Sequence, residues 1–273
     1  MKKIFVNLIL VIVFLIFTLI LLLATVGIET DKFNKLISNN LNQSKNINLD
    51  LNTIQFKLDP KKLNLFLETK NPKINYRGVF VPVQNIQVFV DFLSLFKSNL
   101  KIKKTNFIMK ELDINQLKKL STITKPSNFK NFLNNKVKEG KLISEIEIFL
   151  DNNSEINNYI VKGKFKNFKA ELLNGLELSK TNFTFIADKS DILIKKIEGN
   201  IDNIKISDGD IKLNFENGAK VSSNFNSNLN LDEEFFIRRS NILSKLGINN
   251  QIKNLSGSFK NNFYINFDNT YKV

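Results

Sequence analysis

The chain has 273 residues, 42% of them hydrophobic, which is enough length and enough apolar material for a core, so a disordered chain is not expected. It contains no His, Cys or Trp, which excludes disulfides and leaves no thiol or imidazole as metal ligand or catalytic base. The net charge of +14 raises the question of an anionic partner.

In chain order, the first element is an apolar run over residues 4–28, preceded by Lys2 and Lys3. At ~1.5 Å per residue it is long enough for a hydrocarbon core of ~30 Å, so residues 4–28 are expected to span a membrane as a helix. A cleaved secretory signal has an apolar region of roughly 7 to 15 residues ending in a small-x-small site. The run here is longer and "LLATVG" is a poor cleavage site, which favours an uncleaved anchor. Lys2 and Lys3 before the span, with Glu29 and Asp31 after it, put residues 1–3 in the cytoplasm and the rest of the chain across the membrane. Over residues 29–43, Phe33, Leu36, Ile37 and Leu41 fall on one helical face. That helix is expected either at the membrane surface or packed on the sheet that follows.

From residue 44 the period changes from 3.6 to 2. Ile47, Leu49 and Leu51 alternate with polar residues, and so, with shifted phase, do Ile54, Phe56 and Leu58. Leu63, Leu65 and Leu67 follow, then Ile74 and Tyr76, then Val79, Val81 and Val83, and finally Ile86, Val88 and Val90. These are strands with one apolar and one polar face, the phase slips marking turns or bulges. "LDPKK" and "TKNPK" supply turns, and Pro82 inside a strand-like run points to an edge or a bulge. Short helices are expected at "DFLSLFKS" behind Asp91, at "DINQLKKL" behind Asp113 and at "SNFKNFLNNKV" behind Ser127.

"ITKPSN", near Pro126, is the best candidate boundary between a region over residues 44–125 and a second over 126–273. The second is again strand-rich: "ISEIEIFL", "LSKTNFTFIAD", "DGDIKLNFENG" and "NNFYINFDN" all alternate. One helix, "LDEEFFIRRSNILSKLG", has acidic residues at its start and Gly247 at its end. The chain stops inside a strand-like run, so it is expected to be part of a longer protein or a truncated reading frame.

The chemistry is mostly negative. Neither a G-x-S-x-G elbow nor a G-x-x-x-x-G-K-[ST] phosphate loop is present, so an enzyme is not expected, and neither a cofactor nor a metal site. In "SDGD", Asp208 and Asp210 are a cation pair or, more simply, a polar hairpin turn, which is preferred. Glu145 and Glu147 alternate with Ile146 and Ile148 and are expected on a solvated face. The lysines are spread along the chain rather than clustered, so nucleic acid is not the expected partner. A membrane surface is the expected anionic partner, with compositional bias as the alternative.

One pattern recurs. "VKGKFKN" at residues 161–167 returns as "IEGNIDN" at 197–203 and "LSGSFKN" at 255–261. The separations of 36 and 58 residues are unequal, so this is no strict solenoid repeat. In a strand the pattern sets Val161, Gly163, Phe165 and Asn167 on one face, as it does Ile197, Gly199, Ile201 and Asn203, and Leu255, Gly257, Phe259 and Asn261. Each Gly then leaves a notch in which a neighbouring ring or an acyl chain approaches the backbone. Alternation alone allows two outcomes for the apolar face: an uncovered groove or the inside of a closed sandwich. With many strands and few helices, the groove is favoured.

The anchor, the short helix and the run from "INLDLNTIQFKLDP" to "KIKKTNFIM", with Asp91 to Phe96 as its turn, resemble the start of AsmA-like bacterial envelope proteins. From "FKNFLNNKVKEGKLISEIEIFL" to "NLNLDEE" the chain resembles the central region of the YhdP type in that group, which also includes TamB. The resemblance covers most of the chain as patterning. It implies a mainly β fold: a transmembrane helix, then an elongated, curved antiparallel sheet of chorein-related, groove-like architecture with a few short helices. It further implies an inner-membrane anchor, a periplasmic body and a concave apolar face that carries phospholipid acyl chains between membranes. The expected groove residues are Ile47, Leu49, Leu51, Ile54, Phe56, Leu58, Ile86, Val88, Val90, Val161, Gly163, Phe165, Ile197, Gly199 and Ile201. The alternative is a membrane-anchored scaffold for outer-membrane protein or envelope assembly, with envelope proteins as partners.

Overall fold

The structure is a computed structural model that describes residues 2–30, 47–51, 53–60, 64–90, 102–151, 153, 155–172, 175–216, 218–238 and 253–268. The fold is mainly β, with an apolar N-terminal helix and a few short helices: thirteen strands form one antiparallel sheet and three form a small separate one. The chain divides into two compact units, Met1–Lys110 with Glu145–Tyr159, and Glu111–Ser144 with Ile160–Val273.

The first unit begins with helix α1 (Lys2–Thr25), whose residues Lys3–Thr25 are long and apolar enough to cross a membrane. Its two hydroxyls are satisfied within the helix. Thr18 Oγ1 donates to the Phe14 carbonyl at 2.8 Å and Thr25 Oγ1 to the Leu21 carbonyl at 2.7 Å, so neither is left unpaired in an apolar surrounding. The Val26 and Gly27 N–H groups close the helix on the Leu22 carbonyl at 3.1 and 2.9 Å. Strand β1 (Ile28–Thr30) follows directly. Ile28, expected in the span, therefore pairs with Phe56, and Glu29 and Thr30, expected in a helix, are strand. The remainder of that expected helix lies outside the described residues, as does the one expected at "DFLSLFKS".

The strands that follow are β2 (Ile47–Asp50), β3 (Ile54–Asp59), β4 (Asn64–Lys70), β5 (Lys73–Tyr76), β6 (Val79–Val81), β7 (Val83–Val90) and β8 (Ile102–Met109). The large sheet takes them in the order β1-β3-β4-β7-β8, whereas β2, β5 and β6 form the small sheet. Pro82 is the switch. Lacking an N–H, it interrupts the valine run between β6 and β7, and the chain leaves one sheet for the other there. Its carbonyl still accepts the Lys110 N–H at 2.9 Å.

The second unit adds β9 (Leu112–Asp113), α2 (Ile114–Ser121) and α3 (Asn128–Asn135). Asp113 caps α2 through a reciprocal capping box with Gln116, and Ser127 Oγ caps α3 by accepting the Lys130 N–H at 3.1 Å. Strands β10 (Val137–Leu150) and β11 (Ile156–Glu171) contribute to both units. After them come β12 (Glu177–Ala187), β13 (Asp191–Ile201), β14 (Ile204–Asn214), β15 (Ala219–Leu231), α4 (Glu233–Arg238) and β16 (Leu255–Phe267), each strand pairing with the next.

Four consecutive strands, β11 to β14, each carry one extra residue relative to their neighbours. These are Asn167, Lys180, Lys196 and Asp208, all in the left-handed region with φ of 51°, 49°, 55° and 51°. A bulge residue in that conformation bends its strand and adds right-handed twist. Side chains from the next strand secure two of them: Asn182 Oδ1 accepts the Asn167 N–H at 3.1 Å, and Asp210 Oδ1 accepts the Lys196 N–H at 3.2 Å. "SDGD" is therefore not a hairpin turn. It lies inside β14, where Asp208 is the bulge and Asp210 holds the bulge of β13.

A left-handed conformation costs a side-chain-bearing residue roughly 1–2 kcal/mol, and Gly escapes that cost. Lys196→Gly is expected to be neutral or stabilising, whereas Lys195→Gly, one residue earlier in regular strand, is expected to lose about 0.5–1 kcal/mol. Urea unfolding of the two variants in the same micelles checks the difference.

Candidate functional site

In the second unit the pairing register lines apolar side chains into rows. One row runs Val161, Ala187, Ile192, Leu213, Val221, Ile265 across β11 to β16, and the next runs Gly163, Phe185, Ile194, Ile211, Ser223, Phe263. On the other side of the bulges a third row holds Ala170, Leu178, Ile201, Ile204, Leu229, Gly257. All three occupy one face of the sheet, because each extra residue restores the two-residue alternation it would otherwise break. Val161, Gly163, Phe165, Ile197, Gly199 and Ile201, expected in the groove, all lie on this face. The reverse face is lysine-rich, with Lys162, Lys164, Lys195, Lys205, Lys212 and Lys220 on it, and it also carries Ile186, Leu193 and Tyr264 in the row of Lys162 and Lys212.

Coverage differs along the face. α2 and α3 close one end, where Ile114, Leu133, Val137, Phe168 and Ala170 form a buried cluster with Leu117, Phe165, Leu178 and Phe183 against it. α4 closes the same end further across the sheet, with Phe235 and Phe236 packed on Leu231, Leu229 and Ile204. Phe165 sits 5.1 Å from Phe183 and 5.2 Å from Phe168 between ring centroids, so this end is an aromatic core. Ion pairs rim it, Lys136 to Glu171 at 2.7 Å and Glu177 to both Lys138 and Lys169 at 3.2 Å. The first two rows have no buried member. Their residues are half-buried, and on β16 Phe263 and Ile265 are 52% and 38% exposed. A cavity of about 220 Å³ lined by Glu177, Ser179, Asp202, Asn203, Phe235 and Arg238 lies beside α4. It is polar and small, so among the described residues the apolar feature of this unit is the sheet face rather than this cavity.

The three glycines of the repeated pattern serve three different contacts. At Gly163 an added Cβ would stand 2.5 Å from Phe185 Cε1, and at Gly199 it would stand 2.8 Å from Thr181 Cβ. The notches are filled by a ring and by a fully buried threonine of β12. At Gly257 the nearest atom is Phe259 Cε2 of its own strand, at 3.1 Å. The asparagines do not share a face as expected. Asn167 is a bulge residue, Asn203 sits in the β13–β14 turn, and only Asn261 stays in register on the apolar face, where its Nδ2 donates to Ser227 Oγ at 2.9 Å.

In the first unit Ile54, Thr69, Ile86, Phe107 and Ile146 form one row and Phe56, Leu67, Val88, Thr105 and Ile148 the next. Ile54, Leu67, Ile86 and Val90 are buried, and Phe56, Leu58 and Val88 are half-buried. Ile47 and Leu49 lie on β2 of the small sheet, and the half-buried Leu51 follows it, so these three are not on the rows of the large sheet.

The reverse face of this unit carries a polar network that sequence patterning does not reveal. The buried Glu68 accepts from Lys57 Nζ at 2.6 Å, Asn85 Nδ2 at 2.6 Å and Gln87 Nε2 at 3.2 Å. Asn106 Nδ2 donates to Gln87 Oε1 at 3.4 Å and to Glu145 Oε1 at 2.6 Å. Glu147 pairs with Lys104 at 3.4 Å, and the Lys104 ammonium lies 4.6 Å from the centroid of the Phe89 ring. Glu145 and Glu147 are thus half-buried members of a cross-strand network rather than solvated residues. Burial alone would push the Glu68 carboxyl up, but the donors Lys57, Asn85 and Gln87 together outweigh it and hold it below the ordinary glutamate range.

Comparison with protein-family models, with curated proteins and with solved structures finds no match to this chain.

Gly163→Val drives a branched side chain into the Phe185 ring and is expected to cost about 1–3 kcal/mol, with Gly257→Val milder because one ring edge can yield. Thermal unfolding of the two variants checks the order. The depressed Glu68 value means that the unfolded chain takes up the proton first on acidification. The stability Glu68 contributes is complete above its unfolded-state value, about pH 4.3, and disappears as pH falls through the lower folded-state value. Urea midpoints between pH 7 and pH 3 should fall less steeply in Glu68→Gln than in the native chain, from a lower neutral starting point.

Proposed function

We propose that this chain is an AsmA-like lipid-transfer module, anchored in the bacterial inner membrane by α1, whose apolar sheet face carries phospholipid acyl chains towards the outer membrane. The observation that carries the reading is the pair of half-buried apolar rows across β11 to β16, which lie beyond the helix-covered end. An acyl chain laid on them loses water contact at about 0.8 kcal/mol per methylene, while its headgroup stays in solvent. No residue has to be catalytic for this, and no cofactor or metal is needed. Lys2 and Lys3 before the span support an orientation with the N-terminus in the cytoplasm and the sheet in the periplasm, and in this reading the lysine-rich reverse face meets anionic headgroups rather than nucleic acid.

A scaffold for envelope or outer-membrane protein assembly is the second reading. The observation in its favour is the outer edge of β16, which no strand pairs among the described residues.

A photoreactive benzophenone side chain placed in cells at Ile194 or Leu213 should yield phospholipid adducts by mass spectrometry, whereas the same probe at Lys195 or Lys212 on the reverse face should not. Ile194→Asp should lower the phospholipid that co-purifies with the chain while leaving its unfolding transition measurable. Adducts equal on both faces, or absent from both, would remove the lipid reading.

A further inference from the structure

Among the described residues, β1 and β16 are the end strands of the large sheet, and they are built differently. Natural sheets protect their edges with brevity, charge, proline or bulges. The β1 edge is three residues long and carries Glu29. The β16 edge is 13 residues long, has no proline and no bulge, and keeps unbroken register with β15 from Leu255 to Phe267. Its one charge is Lys260, on the polar face. Phe259, Phe263 and Tyr264 on this strand are 47%, 52% and 69% exposed. Among the described residues, the backbone on its outer side has no strand partner.

We propose that β16 pairs antiparallel with β16 of a second copy of this chain, about a two-fold axis at Asn261. The strand is self-complementary in that register. Asn261, its midpoint, faces its own copy; Phe259 faces Phe263, Gly257 faces Ile265 and Leu255 faces Phe267. On the face that carries Asn261 every apolar residue meets an apolar one or a glycine, and on the other face Tyr264 meets Ser258. Lys260 falls opposite Asn262, so the positive charges of the two copies are not directly opposed. With the axis perpendicular to the sheet, parity keeps the apolar faces of the two copies on the same side, and the rows ending at Phe263 and Ile265 continue into the partner. A closed isologous pair of this kind uses up the β16 edge and leaves on each copy the three-residue β1 edge with its Glu29. The inference stands on the strand's own sequence and register and holds whether or not the face carries lipid.

The chain has no cysteine of its own, so single cysteines report contacts without background. The full chain carrying Asn261→Cys, in nanodiscs under mild oxidation, should form a disulfide-linked dimer, whereas Ser222→Cys on the adjacent inner strand should not. Association through α1 alone would not produce that difference. Phe263→Lys sets a lysine against the Phe259 of each partner and should shift the native chain from dimer to monomer by mass photometry, with its far-ultraviolet dichroism unchanged. If that variant fails to fold, the Asn261→Cys disulfide still decides the question. A monomeric native chain, a disulfide no more frequent at Asn261 than at Ser222, or capture of β16 by a different protein's strand would each overturn the proposal.

Discussion

The second unit depends on phase. A strand has a two-residue side-chain period, and a single inserted residue would send everything beyond it to the wrong face. Each of β11 to β14 contains one such insertion, and at each the apolar pattern is interrupted by a polar stretch that contains the pair Lys166 and Asn167, Ser179 and Lys180, Lys195 and Lys196, or Ser207 and Asp208. The second of each pair takes the left-handed conformation and drops out of the alternation. Phe165 and Phe168 then share a face although they are three apart, and so do Ile194 and Ile197. Without the bulges one half of each strand would turn its apolar side chains towards the lysine-rich face.

Once the phase is held, β11 to β16 share one apolar face, and among the described residues the helices cover only one end of it. α2, α3 and α4 are short, at eight, eight and six residues, and they cover the end where the β11–β12 and β13–β14 turns lie. At about 25 cal/mol per Å² of apolar surface removed from water, the half-buried rows at the other end keep a driving force that the fold itself does not use. A folded chain with that much residual apolar surface aggregates, binds a partner or binds a lipid. Phe259 and Phe263 on β16, the last of the described strands, show that the apolar character does not fade across β11 to β16.

Much of this was legible in the sequence for identifiable reasons. Period-two alternation marked most strands, Asp113 and Ser127 marked helix starts because a cap needs an oxygen at one position only, and Pro82 marked the break between sheets because its missing N–H is a local fact. What escaped is non-local. Glu68 and Glu145 belong to one network only because β4, β7, β8 and β10 lie side by side, and no spacing along the chain encodes that Asn106 donates to a carboxylate 39 residues away. The glycine notches were visible, but their occupants, Phe185 and Thr181, come from the neighbouring strand. Asp208 and Asp210 suggested a turn because Asp-Gly is a turn signal in isolation. Embedded between Ile206 and Ile211 on a strand paired on both sides, the same residues make a bulge.

The junction of α1 with the sheet of the first unit is short and tightly packed. Only Val26 and Gly27 separate the helix from β1, and Gly27, at φ +78°, lies against the aliphatic stem of Lys57 on β3, where an added Cβ would stand 2.8 Å from Lys57 Cγ. A Cβ there would displace the stem, and with it the ammonium group that Glu68 holds at 2.6 Å. The end of the span is thus packed on the same lysine that anchors the polar network of the first unit. With two residues of slack, β1 and β3 cannot leave the membrane surface when α1 is inserted. Ile28, the first residue of β1, is 45% exposed and pairs with Phe56. In the lipid-transfer reading the first apolar side chains a departing phospholipid meets are these two, set in place by the length of the connection rather than by any recognition motif.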